Sequence, residues 1–86
     1  MQTIPCNLDA LSIAELDQFA TDAPRLVIPA EVPAVLHDTC RTMLRNYAQA
    51  KMTAIGHRLD GRITTAVGYE DSCDRQYDRM PEALRW

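Results

Sequence analysis

The chain has 86 residues, 47% of them apolar and 24% charged, with a net charge of −3. That length makes one domain, the composition excludes a disordered chain, and the mild acidity argues against sequence-blind nucleic-acid binding. So short a chain leaves apolar surface that is hard to bury alone, so a partner or self-association is expected.

The N-terminus, MQTIPCNLDAL, has neither the basic start nor the long apolar run of a secretory signal. No stretch approaches the length of a membrane span. Cys6, Cys40 and Cys73 are odd in number and widely spaced, with no CxxC or paired CxxH. This argues against a disulfide framework or a structural zinc site. The expectation is a cytoplasmic protein with reduced thiols, no metal and no cofactor.

In chain order, the first element is announced by LSIAEL. Ser12 and Glu15 have the spacing of a capping box, and Leu11 and Leu16 that of a hydrophobic staple. A helix over about 13–22 follows, with Ile13, Leu16, Phe19 and Ala20 on its apolar face. Pro24 stops it. Pro24, Pro29 and Pro33 then favour an extended connector, with Leu26, Val27 and Ile28 packed on the helices.

A long second helix is predicted over about 32–59, roughly 40 Å in length. Its stripe is Leu36, Cys40, Met43, Tyr47, Ala50 and Ala54, widened by Val35, Leu44, Ala48 and Ile55. Gly61 is its stop. A third helix over about 63–80 carries Ile63, Ala66, Cys73, Tyr77 and Met80 inward, and Pro81 ends it. The segment GYEDSCDRQY, which looks rich in chemistry, therefore becomes a helix face. Asp71, Asp74, Arg75 and Asp78 fall on its solvated side. The fold class is all-α: a long antiparallel helical hairpin, a short N-terminal helix and a proline-rich connector.

Glu70 is the misfit, because the spacing that selects Ala66 and Cys73 also selects it. A carboxylate facing a packed seam needs a partner. With the turn at Asp60 and Gly61, Glu70 faces Ala50 and Lys51 within reach of Tyr47, so a structural contact to Lys51 or Tyr47 is predicted. A contact to a partner chain is one alternative; the other, a general acid or base, would need a second group and a cleft. Tyr47 and Lys51 share the spacing of a dehydrogenase tyrosine–lysine pair, but no glycine-rich nucleotide turn accompanies them. His37 and Cys40 lie three apart on one face, and the hairpin register supplies no further metal ligands beside them. Cys40 and Cys73 read as buried thiols, and His57 as a residue of the last turn of the long helix.

Residues 36–62 are basic through Arg41, Arg45, Lys51, Arg58 and Arg62, between acidic flanks. Arg41, Arg45, Arg58 and Arg62 are the candidate partner-binding residues. A nucleic-acid contact on this stretch is the alternative to pairing with the acidic flanks, although no helix-turn-helix spacing accompanies it.

From Tyr47 to Trp86 the chain carries Tyr47, Lys51, Arg58-Leu59, Gly61, Ile63, Ala66, Glu70, Tyr77, Pro81 and Arg85-Trp86. This half of the chain resembles short helical proteins of unassigned function carried by phages, prophages and integrative elements of proteobacteria. Arg62 departs from that pattern, which would place a capping acid after the glycine. Arginine-rich, alanine-rich composition, with Lys51 as the only lysine, agrees with a bacterial GC-rich gene. The resemblance implies a setting: small proteins of such elements often bind a host protein, and some block host defences such as CRISPR. It carries over no functional residue. The sequence thus points to a non-catalytic protein-binding protein, expected to be a homodimer. A nucleic-acid-binding regulator is the alternative.

Overall fold

A computed structural model describes residues 6–86; residues 1–5, part of the segment read for a secretory signal, lie outside the described residues. The described chain is all-helical, with no strand. It contains α1 (Ile13–Asp22), α2 (His37–Leu59) and α3 (Ile63–Arg79). Short 3-10 turns flank them at Leu8–Ala10, Ala23–Arg25, Ala34–Leu36 and Glu82–Leu84. The helix α2 packs against both α1 and α3. The body measures 41 × 24 × 17 Å, with a radius of gyration of 12.9 Å. A compact chain of this length would have about 12 Å. The elongation follows from α2, whose 23 residues span about 35 Å. No described helix is long and apolar enough to cross a membrane.

The capping box at α1 forms in full. Ser12 Oγ accepts the Glu15 amide at 3.2 Å, and Glu15 Oε1 accepts the Ser12 amide at 3.0 Å. Leu16, Phe19 and Ala20 are buried, while Ile13, expected on the same face, is exposed. Beyond α1, Leu26 and Ile28 are buried but Val27 is 75% exposed. Extended backbone turns alternate side chains to opposite sides, so all three cannot pack inward as the sequence reading had it. Two α2 side chains satisfy the backbone here. Arg41 Nε donates to the Leu26 carbonyl at 2.8 Å, and His37 Nε2 donates to the Val32 carbonyl at 2.9 Å.

The sequence-based start of α2, near residue 32, is too early. Pro33 has ψ 136°, outside helical geometry, and the Leu36 amide closes a 3-10 turn on its carbonyl at 2.9 Å. The regular 3.6-residue phase therefore begins only at His37. Val35 and Leu36, assigned to the apolar stripe, are exposed instead, Val35 by 85%. From there the stripe holds: Cys40, Leu44, Tyr47, Ala48 and Ala54 are buried.

At its other end α2 stops on Gly61, whose φ of 80° is the left-handed conformation. The Gly61 amide reaches the Arg58 carbonyl at 3.1 Å and the Arg62 amide the His57 carbonyl at 2.8 Å. This Schellman pair satisfies carbonyls that the helix end would leave open. The next helix, α3, buries Ala66 and Cys73, and Ala54 of α2 is buried at the same end. These small side chains let the helices approach but bury little area. Ile63, predicted inward, is exposed. Met80 leaves helical geometry, so α3 ends at Arg79, and the turn after Pro81 buries Leu84. Arg85 donates to the Met80 and Asp78 carbonyls at 3.1 and 2.8 Å, closing the end of α3.

Most large core side chains lie where α1, the connector and the C-terminal turn meet α2. Leu8, Leu16, Phe19, Leu44, Met80 and Leu84 belong to one buried cluster with Cys40 and Cys73.

Two outcomes follow. A Cβ at Gly61 would meet nothing within 4 Å, so only backbone strain opposes Gly61→Ala. Chemical denaturation should report a loss of about 1–2 kcal/mol, and a smaller loss for Gly61→Asn. Cys40 and Cys73 are each 1% exposed. Thiol titration of the native protein should find both slow, released on unfolding, and Cys6, which is only partly buried, faster.

Candidate functional site

The densest polar contact in the described chain is built on Asp9. Asn7 opens the Leu8–Ala10 turn, and its Oδ1 accepts the Asp9 amide at 3.1 Å. Leu8, fully buried, anchors this turn in the core. The Asp9 carboxylate is thereby aimed at α2 and the C-terminal residues. Its Oδ1 accepts the Tyr47 hydroxyl at 2.6 Å and lies 3.2 Å from Lys51 Nζ. Its Oδ2 accepts the Trp86 indole N–H at 3.1 Å. The Trp86 ring meets Tyr47 and Tyr77 edge-on, with centroids 4.9 and 4.8 Å away. The Tyr77 hydroxyl donates to the Trp86 carbonyl. One carboxylate thus joins the N-terminal turn, α2 and the C-terminal segment.

Its electrostatics hold protons in place. Partial burial pushes the Asp9 carboxyl up, but hydrogen bonds from Tyr47, Trp86 and Lys51 outweigh burial and leave it below its ordinary value. Tyr47 is moved strongly upward, first by burial and then by its bond to the Asp9 carboxylate. A catalytic phenol paired with lysine needs the opposite shift. Here the tyrosine–lysine spacing delivers both side chains to one carboxylate, and the phenol donates without being primed to ionise.

Glu70 is not held by Lys51 or Tyr47. Its carboxylate takes a two-pronged contact from Arg58, at 3.1 Å from Nε and 2.5 Å from Nη2. The reason is the lean of helical side chains toward their own N-terminus. Arg58, near the end of α2, leans back from the turn, while Glu70, on α3, leans toward it, so their tips converge. Lys51 leans away from Glu70 and finds Asp9. His57 and Tyr69 obey the same geometry and stack at 5.5 Å. Glu70 therefore lies at the edge of the seam, with its side chain 35% exposed. The bond to Arg58 holds its carboxyl below the ordinary value.

The four candidate arginines do not form one surface. Arg41 is spent on the Leu26 carbonyl and on Asp38, at 2.7 Å. Arg45 is exposed beside it, and both line a cleft of about 290 Å³ with Ala23, Pro24, Asp38 and Thr42. Arg58 is paired with Glu70, and Arg62 lies 3.9 Å from Asp60. From Arg41 to Arg58 the helix rises about 25 Å. The two predicted metal-spacing residues diverge as well, His37 to a backbone carbonyl and Cys40 into the core. Among the described residues no group of three or more His, Cys, Asp or Glu gathers.

Large apolar side chains also point outward. Leu59, 76% exposed, stands at the α2–α3 turn with Ile63, Val67 and Tyr69 also exposed. Val27, Val35 and Leu36 are exposed along the connector and the entry to α2. Beside Leu36 lies a groove of about 670 Å³, walled by Pro29, Pro33, Pro81 and Ala83 over Val32. Compared with known proteins, the chain matches no family model, no curated protein and no solved structure.

The Asp9 contact escaped sequence reasoning. The one available signal was Asn7 two residues before it, the spacing of a side-chain-closed turn, which fixes where the carboxylate starts but not what it meets.

The contact has a pH signature at both ends. Asp9 is depressed in the folded state, so its stabilisation is present above the ordinary carboxyl value of about 4 and lost as pH falls through the folded value. Tyr47 is raised, so its stabilisation is full below the ordinary phenol value of about 10 and lost as pH rises beyond it. Urea titrations should show Asp9→Asn weakening the protein by about 1–2 kcal/mol at pH 7, given the carboxylate's half exposure. The acid limb of its stability profile should be shallower. Tyr47→Phe should flatten the alkaline limb instead. Profiles parallel to the parent's in both variants would contradict this account.

Proposed function

We propose that the chain is a small non-catalytic protein-binding protein, an accessory protein or inhibitor from a mobile element that acts on a host protein in the cytoplasm. The architecture in this reading is a long antiparallel hairpin of α2 and α3, with the proline-rich connector laid across it. The observation that carries the reading is the outward display of large apolar side chains at two places on an elongated body. Such display on a small domain favours a protein interface. The strongest polar cluster supports the same reading, since Asp9, Tyr47 and Lys51 satisfy one another and leave no activated group. The host-protein setting comes from the resemblance of the Tyr47–Trp86 half to phage and integrative-element proteins.

Self-association belongs to the proposal. Ile63 and Val67 stand four apart on one ridge of α3, with Leu59 just before the turn, and a second copy covering them would form a homodimer. The nucleic-acid alternative would need the basic stretch of α2 to act as one surface. The division of Arg41, Arg45, Arg58 and Arg62 between two ends, three of them facing carboxylates, favours the protein partner.

Light scattering at micromolar concentration should report a dimer, and the double variant Ile63→Asp, Val67→Asp a monomer. A parent that stays monomeric across a concentration series rules out self-association. Affinity capture from nuclease-treated bacterial lysate, read by mass spectrometry, should retain a protein partner. Retention of DNA or RNA alone, released by moderate salt, would replace the protein reading with the nucleic-acid one.

A further inference from the structure

We propose that the proline-walled groove between the connector and the C-terminal turn docks an apolar peptide segment of the partner, one that carries an arginine or lysine beside an aliphatic or aromatic residue. This rests on the protein-binding reading above and names its site and the partner's chemistry.

The walls are three turns opened by proline. Pro29 accepts the Val32 amide at 3.0 Å, and Pro33 and Pro81 accept the Leu36 and Leu84 amides, each at 2.9 Å. With those carbonyls already engaged and the proline φ angles fixed, the walls present ring carbons on a backbone that loses little freedom when a ligand arrives. Between them, exposed Leu36 and partly buried Ala83 flank Val32, which is 3% exposed and holds the floor. His37 fixes that floor through its bond to the Val32 carbonyl. The volume, about 670 Å³, lies in the range of ligand clefts. It suits a few side chains of a peptide rather than a broad protein face.

Charge selects the occupant. Glu31 from the connector and Glu82 from the C-terminal turn both line the groove, and no basic residue does. Both are exposed, and neither makes an ion pair among the described residues. A wholly apolar peptide would bring its own surface against two carboxylates and leave them without a counter-charge. A guanidinium or ammonium supplies that counter-charge, while an acidic segment or a phosphate backbone is repelled. The second cleft, at Arg41 and Arg45, lacks this bias, because Asp38 already faces Arg41 at 2.7 Å.

The test is selection of a displayed library of random twelve-residue peptides on the full chain, followed by titration of the best synthetic peptide into isotope-labelled protein. Recovered peptides should pair Arg or Lys with Leu, Ile, Phe or Trp. Their amide shifts should centre on residues 29–36 and 81–84. The double variant Glu31→Lys, Glu82→Lys, with melting checked against the parent, should lose at least tenfold in affinity. The variant Leu36→Asp should lose as much and still bind no acidic peptide. Peptides without a cation, shifts centred elsewhere, affinity unchanged in the charge-reversed variant, or no peptide recovered would each overturn the proposal. So would a dimer that Leu36→Asp dissolves, since the groove would then hold a second copy. A lysate partner retained equally by parent and charge-reversed variant would overturn the groove alone and leave the protein-binding reading standing. Absence of any retained protein would remove both.

Discussion

A single half-exposed carboxylate ties the Leu8–Ala10 turn and the C-terminal segment to α2. Asp9 meets Tyr47 and Lys51 on α2 and Trp86 at the far end of the sequence. None of these contacts is local, so each closes a long loop of chain and opposes a large loss of entropy. Buried area secures the arrangement on either side. Leu8 is held in the core beside the carboxylate, and Leu84 anchors the turn that delivers Trp86. The charge itself stays partly in water, which avoids the desolvation penalty of a fully buried pair while keeping three donors aimed at it. Orientation is the main contribution of such a contact, since hydrophobic packing has no direction of its own.

That arrangement explains why the two halves of the molecule differ. Around Asp9, four segments converge on α2 and bury large side chains. Toward the α2–α3 turn only two helices remain, and their contact is made by Ala54 and Ala66. Small residues bring the helices close, but among the described residues Ile63 and Val67 stay exposed. Arg58 with Glu70 and His57 with Tyr69 border this seam. Exposed pairs of this kind contribute modestly and weaken with salt. The turn end is therefore the part of the fold most dependent on Gly61 and on whatever covers its apolar ridge.

The sequence was informative wherever the cause was local. Ser12 and Glu15, Gly61, and Pro81 act within four residues of themselves, and α1 and the C-terminal ends of α2 and α3 followed from them closely. The burial of Cys40 and Cys73 was also legible, because a helical stripe needs only its period. The errors share a cause too. Val35 and Leu36 were placed in the stripe by extending its period backward past His37 into the Ala34–Leu36 turn, which is 3-10 rather than α-helical. Glu70 was given the wrong partner because register was counted between backbones, while long side chains meet according to their lean. Asp9 was missed because its partners lie 38 to 77 residues away. Periodicity cannot report a contact between a turn and a distant helix.

The same distinction bears on the surface. Periodicity finds faces that bury themselves within the chain, and it says least about segments built from prolines. From the sequence, Pro29 belongs to an extended connector, Pro33 lies at the start of the predicted second helix and Pro81 ends the third, three unrelated places. In the folded chain they become neighbours, because the Asp9 contact and the Leu84 anchor bring the C-terminal turn against the connector. A proline that opens a turn presents a rigid, apolar surface with its carbonyl already hydrogen-bonded. Three such turns brought together make a preformed groove from residues that act, one by one, only on their local backbone. A destabilised Asp9 contact would therefore loosen this groove at a distance, through the C-terminal segment that Trp86 holds down, without altering any residue that lines it.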